Sequence, residues 1–304
     1  MISQAIKTEL SDALSKKGVE FLTDADTASR SSFKIGGTVA LALFPKSVDE
    51  LIFSVHLLDS KGIKFEIFGN ASNVLFAFEY YNGAFIFTEH INSVSIDRNK
   101  LFCEAGVSLT YLSNLAAANS LSGLEFAYGI PAQVGGAVYM NAGAYGSQIS
   151  EVLEYTLVFD RATLETRKIY DGDFGYRKSP YMTNPDLVCL GASFELKEGD
   201  QAQIRAKMSE NIRSRQEKQP LKFPSAGSYF KRPEGHFAGK LIEDCGLKGF
   251  RIGDAEVSTL HAGFIINVGK ATWSDVLLLE EKIKERVAEK FGVILEREVR
   301  LITD

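Results

Sequence analysis

Residues 129–146 read GIPAQVGGAVYMNAGAYG, and this stretch indicates the fold more strongly than any other. It holds five glycines, four alanines and one proline in eighteen residues, so it presents very little side-chain bulk. Within a globular chain, such a run indicates that the backbone closely approaches another large group. A tight contact between a helix and a sheet needs the same small residues, so a packing role stays open.

A second small-residue loop precedes this stretch. Residues 66–76 read EIFGNASNVLF, which predicts a buried strand that runs into the loop 69–73. Small residues allow successive main-chain N–H groups to converge on one point, and such a concavity binds anions. An ordinary turn at the end of a strand fits this loop equally well. Because two such loops occur in one half of the chain, we favour a phosphate-rich ligand. Neither loop matches G-x-G-x-x-G or the P-loop, which argues against a Rossmann domain and a P-loop NTPase.

The composition is that of a globular protein. The chain has 304 residues, 34 basic against 39 acidic side chains, a formal net charge of −5 and 45% apolar residues. This length suits two or three domains, and the slight acidity argues against a nucleic-acid partner. No stretch approaches the roughly 20 apolar residues that cross a bilayer. The three cysteines are scattered and show no metal-ligand spacing. We therefore expect a cytoplasmic protein without membrane contact, disulfide framework or metal site.

Apolar periodicity and capping residues predict a mixed α+β chain. Ser47 with Glu50, and Thr272 with Asp275, form capping boxes that predict helix starts. Residues 3–17 and 201–219 also have helical patterns. The apolar runs between residues 84 and 104 predict a β-meander. Residues 294–302 predict a final strand that places Glu298 on its polar face.

Three polar side chains stand out in the rest of the chain. Arg177 lies in a YRKSP turn, and its planar fork suits a carboxylate. Ser228 lies in PSAGSYFK, a small-residue turn with a cation nearby. Taken alone, Arg177 is a surface arginine, Ser228 a turn residue and Glu298 a solvated edge residue. The residues by themselves thus predict a phosphate-rich ligand in the first half and an anionic substrate near Arg177 and Lys231.

Taken together in this order, the motifs resemble the UDP-N-acetylenolpyruvoylglucosamine reductase (MurB) family. The resemblance runs from the FKIGG motif at residue 33 to Arg300, nearly the whole chain. It includes GNASN, GLEFAYGIPAQVGGAVYMNAGAYG, YRKSP, PSAGSYFKRPEGHFAGKLIEDCGLKGFRIGDAEVS, HAGFIINVG and LEREVRLI. Six motifs in register make a specific signal.

The resemblance implies an FAD-dependent oxidoreductase of peptidoglycan synthesis. Residues 1–85 and 86–205 would form the two FAD-binding subdomains, in a fold of the vanillyl-alcohol-oxidase type. Residues 206–304 would form an α+β substrate domain, with the final strand 293–304 returning to the active site. NADPH would reduce FAD, and hydride would then pass to the enolpyruvyl group of the UDP-sugar to give UDP-N-acetylmuramate. Neither glycine-rich loop contains histidine or cysteine, so we expect FAD to be bound without a covalent bond.

The resemblance also assigns individual residues by motif. Ser228 matches the proton donor, while Arg177 and Glu298 match the pair that stabilises the enolate-like intermediate. The expected FAD-binding residues are Gly36, Gly37, Gly69, Asn70, Ala71, Ser72, Asn73, Gly129, Ile130, Pro131, Val134, Gly135, Gly136 and Ala137. The expected substrate contacts are Tyr145, Tyr176, Lys218 and Arg232.

This chain departs from the family pattern in a few places. Ala71 and Ala132 stand where many members have glycine. A substrate-clamping tyrosine in an insertion, present in some relatives between the arginine and serine motifs, has no counterpart here. Two alternatives stay open: another FAD-dependent oxidase or dehydrogenase of the same fold, and a nucleotide-binding module without turnover.

Overall fold

The computed structural model of the chain describes residue 2 and residues 4–304. The helices of the described residues are α1 Gln4–Lys17, α2 Val48–Ser60, α3 Leu109–Ala118, α4 Val134–Tyr139, α5 Pro180–Thr183, α6 Gln201–Lys218, α7 Ala238–Asp244 and α8 Trp273–Phe291. The strands are β1 Glu20–Asp26, β2 Thr38–Phe44, β3 Phe65–Phe68, β4 Val74–Phe76, β5 Tyr80–Phe87, β6 Val94–Asp97, β7 Lys100–Glu104, β8 Leu121–Ser122, β9 Gly143–Ala144, β10 Ser147–Gln148, β11 Leu153–Asp160, β12 Glu165–Ile169, β13 Leu187–Glu195, β14 Lys197–Glu198, β15 Ser225–Ser228, β16 Arg251–Ile252, β17 Ala255–Val257, β18 Phe264–Asn267 and β19 Arg300–Ile302.

Helix caps lie where the sequence predicts them. The Ser47 hydroxyl accepts a hydrogen bond from the N–H of Glu50 at the start of α2. At the start of α8, Thr272 and Asp275 form a reciprocal capping box. Helix α1 covers the predicted helix 3–17 apart from Ser3, which lies outside the described residues. None of the described helices is long and apolar enough to cross a membrane.

The chain divides into two compact units, each built from three segments. The first unit comprises Met1–Thr23, Leu41–Asn70 and Gly83–Ser214. The second unit comprises Asp24–Ala40, Ala71–Asn82 and Arg215–Asp304.

The first unit contains a five-stranded antiparallel sheet of order β12-β11-β13-β7-β6. Helix α3 packs on it through Leu109, Leu112 and Ala116, which lie in one cluster with Leu101 and Phe194 of the sheet. A second cluster joins the apolar face of α2 to strand residues such as Leu43 and Ile86. These cores carry the loops that follow β3 and precede α4.

The predicted meander between residues 84 and 104 is wrong. Strand β5 pairs in parallel with β3, with Phe65 opposite Ala84, in a sheet of order β1-β2-β5-β3. Only β6 and β7 form a hairpin, in the five-stranded sheet. Over its paired residues, 84–87, strand β5 is fully apolar and buried, which is typical of a parallel strand covered on both faces.

The second unit has a four-stranded sheet of order β15-β18-β17-β16 and the long helix α8. Val276, Leu279, Ile283 and Val287 of α8 pack in one core with residues from all three segments, including Phe33, Ile35 and Leu75. The Ser32 hydroxyl donates to the carbonyl of Ser225 at 2.7 Å. The Asn267 side chain donates to the carbonyl of Phe33 at 3.3 Å.

The final strand is shorter than the predicted 294–302. Regular pairing is limited to β19, which runs parallel to β4 with Arg300 opposite Val74. Upstream, Arg297 forms an isolated antiparallel bridge with Phe230. The chain therefore changes partner between Arg297 and Arg300, and this change interrupts the strand.

Candidate active site

The two glycine-rich loops meet in the first unit. The side-chain amide of Asn70 donates a hydrogen bond of 3.2 Å to the carbonyl of Pro131. A Cβ on Gly69 would lie 2.8 Å from Oε1 of Gln133, which itself accepts a hydrogen bond from the Thr88 hydroxyl at 3.1 Å. The absence of a side chain at Gly69 thus allows the loops to touch. Gln133, a buried residue that the sequence analysis did not assign, joins them.

Gly135 and Gly136, in the first turn of α4, have different surroundings. A Cβ on Gly135 would lie 3.0 Å from the Cβ of Ala105, so packing within the protein accounts for this glycine. A Cβ on exposed Gly136 meets no described atom within 4 Å. Packing within the described residues therefore gives no reason for glycine at 136. A surface that a Cβ would fill, next to a second loop of small residues, fits a large flat group such as a flavin.

The side chains of the second loop divide between core and surface. Val134 and Ala137 are buried in the core of the first unit, and Ile130 packs against it. Pro131 is exposed, and Gly129 has a φ of +84°, which an L side chain rarely adopts. Contacts from Val134 and Ala137 to a cofactor would therefore be made by the backbone.

In the second unit, Ala71 has a φ of +44°. This left-handed conformation costs an L-residue roughly 1–2 kcal/mol, which explains why glycine suits the position. Half-buried Ser72 and Asn73 follow it. The Asn73 side chain donates to the carbonyl of Glu298 at 3.2 Å, and the N–H of Arg300 donates to the carbonyl of Asn73 at 2.9 Å. The end of this loop is thereby fixed to the last strand.

Gly36 and Gly37 pack tightly inside the second unit. A Cβ on Gly36 would lie 2.4 Å from the Thr27 hydroxyl oxygen, and one on Gly37 would lie 2.3 Å from the carbonyl oxygen of Phe78. Both glycines are therefore explained by close approach of the backbone to its own chain.

Arg177 lies in a tight turn of the first unit with a φ of +52°. A non-glycine residue held in this region is strained, and such strain concentrates at functional sites. The two terminal nitrogens of the guanidinium lie 3.4 Å from the carbonyl oxygens of Asn141 and Gly143. Buried Asn141 in turn donates to the carbonyl of Gly175 at 2.8 Å and accepts from the N–H of Ser150 at 3.0 Å. Asn141, which the sequence analysis missed, therefore fixes the turn that carries Arg177.

The two tyrosines expected to contact substrate are both exposed. The Arg177 guanidinium lies 5.0 Å from the ring centre of Tyr176. Tyr145 has a φ of +54°, and its hydroxyl donates to the carbonyl of Asn211 at 2.8 Å. Tyr176 thus offers a ring beside a cation, whereas the hydroxyl of Tyr145 is already engaged.

Ser228, in the second unit, ends strand β15 and is exposed. The register of β15 against β18 shifts between Ser225 and Ser228, and Gly227 has a φ of +79°. A bulge of this kind bends the strand and redirects the next side chain. The glycine of the PSAGSYFK motif is thus explained by the conformation that presents Ser228.

Glu298 is half-buried in the segment that pairs with the residues after Ser228. The N–H of Glu298 donates to the carbonyl of Tyr229 at 2.9 Å, and the N–H of Lys231 donates to the carbonyl of Glu296 at 2.9 Å. The structure therefore brings the segments of Ser228 and Glu298 together within one unit.

The remaining two expected substrate contacts are cations of the second unit. Lys218 is exposed in the last turn of α6. Arg232 is exposed as well, and its guanidinium lies 4.5 Å from the ring centre of Phe237. Both offer positive charge at the surface of this unit.

Comparison with known families supports this picture. A family model described as "FAD binding domain" matches residues 39–166. A second, described as "UDP-N-acetylenolpyruvoylglucosamine reductase, C-terminal domain", matches residues 219–302. The first match contains both glycine-rich loops, and the second contains Ser228 and Glu298.

Relatives and solved structures agree. The UDP-N-acetylenolpyruvoylglucosamine reductase of Caldicellulosiruptor saccharolyticus is 46% identical over 294 residues, which cover 95% of this chain and 94% of the relative. The enzyme of Clostridium novyi is 45% identical over 273 residues, covering 90% of this chain and 89% of the relative. The crystal structure of UDP-N-acetylenolpyruvylglucosamine reductase (MurB) from Thermus caldophilus superposes with a TM-score of 0.77 at 33% identity, covering 94% of this chain and 99% of that chain.

These similarities confirm the family and the fold class that the sequence predicts. The chain is an α+β protein with an FAD-binding part of the vanillyl-alcohol-oxidase type and the C-terminal domain of this family. FAD is its cofactor. The chain belongs to the UDP-N-acetylenolpyruvoylglucosamine reductase family of FAD-dependent oxidoreductases.

Proposed function

We propose that this chain reduces the enolpyruvyl group of UDP-N-acetylenolpyruvoylglucosamine to give UDP-N-acetylmuramate, with NADPH as hydride donor, in peptidoglycan precursor synthesis. The observation that carries the proposal is the pairing of the segments of Ser228 and Glu298 through the 2.9 Å hydrogen bond from Glu298 to the Tyr229 carbonyl. A hydroxyl and a carboxylate held on paired segments suit a reaction that adds a proton to a carbon beside a carboxylate.

The reduction needs one hydride and one proton. FAD, which the two glycine-rich loops would hold, would supply the terminal carbon of the substrate double bond with a hydride that comes from NADPH. The electron pair of that double bond then resides on the carbon that carries the carboxylate. Ser228 donates its hydroxyl proton to this carbon, which forms the second C–H bond, and the serine regains a proton from solvent. Because the carbanion is strongly basic, a weak acid such as a serine hydroxyl suffices.

Arg177 is assigned to the negative charge that grows on the substrate carboxylate. A guanidinium already fixed by its turn stabilises developing charge without reorganising during the reaction. Its planar fork also matches the two oxygens of a carboxylate. Glu298 shares this assignment through the family resemblance, and its place beside the Ser228 segment supports it.

We also propose the individual contacts to cofactor and substrate. The predicted FAD-binding residues of both loops, with Gly36 and Gly37, would hold the cofactor without a covalent bond, and the open face at Gly136 supports this for the second loop. Tyr145, Tyr176, Lys218 and Arg232 would contact the UDP-sugar. The division into 1–85, 86–205 and 206–304 is part of the same proposal, and the family match over 219–302 supports its last boundary.

The proposed place of the reaction is the bacterial cytoplasm. The named relatives come from bacteria, and Cys103, Cys189 and Cys245 are free thiols, which fits a reducing compartment. The proposed partners are the UDP-sugar and NADPH, without nucleic acid or membrane. The net charge of −5 fits the absence of a nucleic-acid partner.

Ser228→Ala tests the proposed function, with Ser225→Ala in the same strand as the matched control. Stopped-flow absorbance of the flavin band measures reduction by NADPH and reoxidation by substrate separately. We expect reduction by NADPH to stay near normal, because that step needs no proton from Ser228. Reoxidation by the enolpyruvyl UDP-sugar should slow by roughly 10²–10⁴-fold. If both steps slow equally, or neither does, Ser228 is not the proton donor.

The same instrument separates the proposed reaction from its alternatives. A protein that NADPH bleaches under anaerobic conditions, and that only the enolpyruvyl UDP-sugar recolours, has the proposed activity. Recolouring by other acceptors alone would indicate a different oxidoreductase of this fold. Failure of NADPH to bleach the protein would indicate a module without turnover.

A further inference from the structure

The carboxylate of Glu280 is buried on the inner face of α8. The residue is 3% exposed and lies among the apolar side chains that pack in the core of the second unit, Val276, Leu279 and Ile283. A carboxylate in such a place is costly unless charged or hydrogen-bonding partners surround it.

Three side chains supply those partners. The Tyr229 hydroxyl donates to Oε2 of Glu280 at 2.8 Å, and Nε of Arg297 donates to the same oxygen at 2.7 Å. Lys284, one turn further along α8, donates to the other oxygen, Oε1. Burial raises the pKa of Tyr229, so its hydroxyl remains a donor. Glu280 is thus the common acceptor of a buried network.

Two of these partners are chain neighbours of the proposed catalytic residues. Tyr229 follows Ser228, and Arg297 precedes Glu298. Successive side chains of extended segments point to opposite faces. Buried Tyr229 therefore faces the core and Glu280, whereas Ser228 is exposed. One carboxylate accordingly fixes the inner faces of both segments whose neighbouring residues carry the chemistry.

Stability alone gives a weak reason for this network. Replacing a buried ion pair by apolar side chains of similar volume is often neutral or stabilising. A polar network in which every partner is satisfied does fix one arrangement of the groups it joins. Catalysis is sensitive to such fixing, since a displacement of about 1 Å costs roughly 10²-fold in rate.

We propose that Glu280 is a positioning residue that, through Tyr229 and Arg297, holds Ser228 and Glu298 in register for protonation of the substrate. The inference rests on the proposed function, because it assumes that Ser228 and Glu298 act on the substrate. Glu280 itself lies in the core of its unit and does not act on the substrate directly.

The first test is Glu280→Gln, with Glu285→Gln as the control. Glu285 lies on the same helix in an exposed ion pair with Lys282. For Glu280→Gln, we expect reoxidation by the enolpyruvyl UDP-sugar to slow about 10-fold or more, with kcat falling more than KM changes. Reduction by NADPH should stay within about twofold of the wild type, as should both steps in the control. Equal slowing of both steps, or of neither, would overturn the inference.

The second test is a double-mutant cycle. If Glu280 acts by positioning Ser228 and Glu298, its substitution should cost much less once the positioned group is gone. We expect the loss caused by Glu280→Gln to shrink below about threefold in the Ser228→Ala or the Glu298→Gln background. A full loss that multiplies in both backgrounds would show a merely structural role. If Glu280→Gln does not fold, Tyr229→Phe removes one hydrogen bond of the network and should slow the same step selectively.

The outcomes for the two proposals are distinguishable. Normal reoxidation by Ser228→Ala overturns the proposed function of Ser228, whatever Glu280→Gln does. Slow reoxidation by Ser228→Ala together with normal reoxidation by Glu280→Gln overturns the positioning role alone.

Discussion

The side-chain amide of Asn73 donates a hydrogen bond of 3.2 Å to the main-chain carbonyl of Glu298, a residue 225 positions later in the chain. The N–H of Arg300 donates to the carbonyl of Asn73 at 2.9 Å. The parallel pairing of β4 with β19 then begins with Val74 opposite Arg300. Asn73, at the end of the loop expected to hold FAD, and the segment expected to act on substrate are therefore joined within the second unit. A shift of Asn73 would therefore also move the segment that carries Glu298.

The open face at Gly136 predicts a selective loss of cofactor. Gly136→Val should abolish retention of FAD while the apoprotein keeps its circular dichroism spectrum, because the added side chain meets no described protein atom near the Cβ. The ratio of flavin to protein absorbance after gel filtration measures the loss. Gly135→Val is the matched control: it should destabilise the fold itself, since Ala105 is in the way. Full flavin occupancy in Gly136→Val would make this loop a packing turn.

The left-handed conformation of Ala71 predicts that a glycine stabilises the protein. Ala71→Gly should raise the free energy of unfolding by about 0.5–1 kcal/mol, because relief of backbone strain exceeds the entropic cost of glycine. Ala132→Gly is the matched control, because Ala132 does not have a positive φ, and it should lower stability by about 0.5–1 kcal/mol. Urea unfolding of the apoproteins measures both. The same sign for the two substitutions would contradict the argument.

Arg177→Lys should behave as a drastic change although charge is conserved. An ammonium cannot provide the planar fork, so we expect kcat to fall by roughly 10²–10³-fold with a smaller change in KM. Lys178→Ala in the same turn removes an exposed ion pair with Asp173 and should leave kcat within about twofold. Steady-state kinetics with the UDP-sugar as varied substrate measures both. A raised KM with unchanged kcat would mean that Arg177 binds the substrate and the transition state equally well and does not accelerate the chemical step.

The buried network predicts a characteristic loss of stability in acid. Burial raises the pKa of Glu280, but hydrogen bonds from Arg297, Lys284 and Tyr229 outweigh it, so the pKa lies below the ordinary value of 4.5. A carboxyl with a depressed pKa in the folded state stabilises the protein above its unfolded pKa, and that contribution is lost as the pH falls through the folded value.

The difference in unfolding free energy between the wild type and Glu280→Gln should therefore be largest above about pH 5 and shrink towards pH 3. Urea unfolding of the apoproteins at each pH measures it. Glu285→Gln, the exposed control, should stay within about 0.5 kcal/mol of the wild type throughout. A difference that grows in acid would mean that the folded protein favours the protonated carboxyl.

Local features of the fold could be predicted from the sequence, whereas strand partners could not. Ser47 and Thr272 act within one turn of their helices, so a few neighbouring residues suffice to predict them. The apolar run of β5 predicts an extended segment, but nothing in it indicates pairing with β3 across the intervening chain. The composition of the two glycine-rich loops similarly predicts that their backbone closely approaches another large group, but it does not identify that group.

The identity of the site residues could be predicted from their residue types in the motifs, whereas their backbone conformation could not. Motifs identify Arg177 and Ser228, but the φ of +52° at Arg177 and the bulge before Ser228 follow from tertiary context. The position of Glu280 in the sequence did indicate a buried carboxylate. Glu280 lies four residues after Val276 and three before Ile283, on the apolar stripe of a predicted helix, and a carboxylate there requires a partner. Its partners, Tyr229 and Arg297, are too far away in sequence to be identified from that signal.

The three-segment core of the second unit also determines which contacts can form while the chain is still being synthesised on the ribosome. Phe33 and Ile35 leave the ribosome early, yet they pack with Ile283 and Val287. The hydrogen-bond partner of Ser32, the carbonyl of Ser225, lies 193 residues later in the chain. Contacts that close such long loops form late and slowly. A nascent chain that stalls before residue 225 therefore displays apolar side chains with no native cover. Likewise, a gene fragment that starts at residue 206 would encode helix α8 without the aromatic and aliphatic residues it needs to pack against.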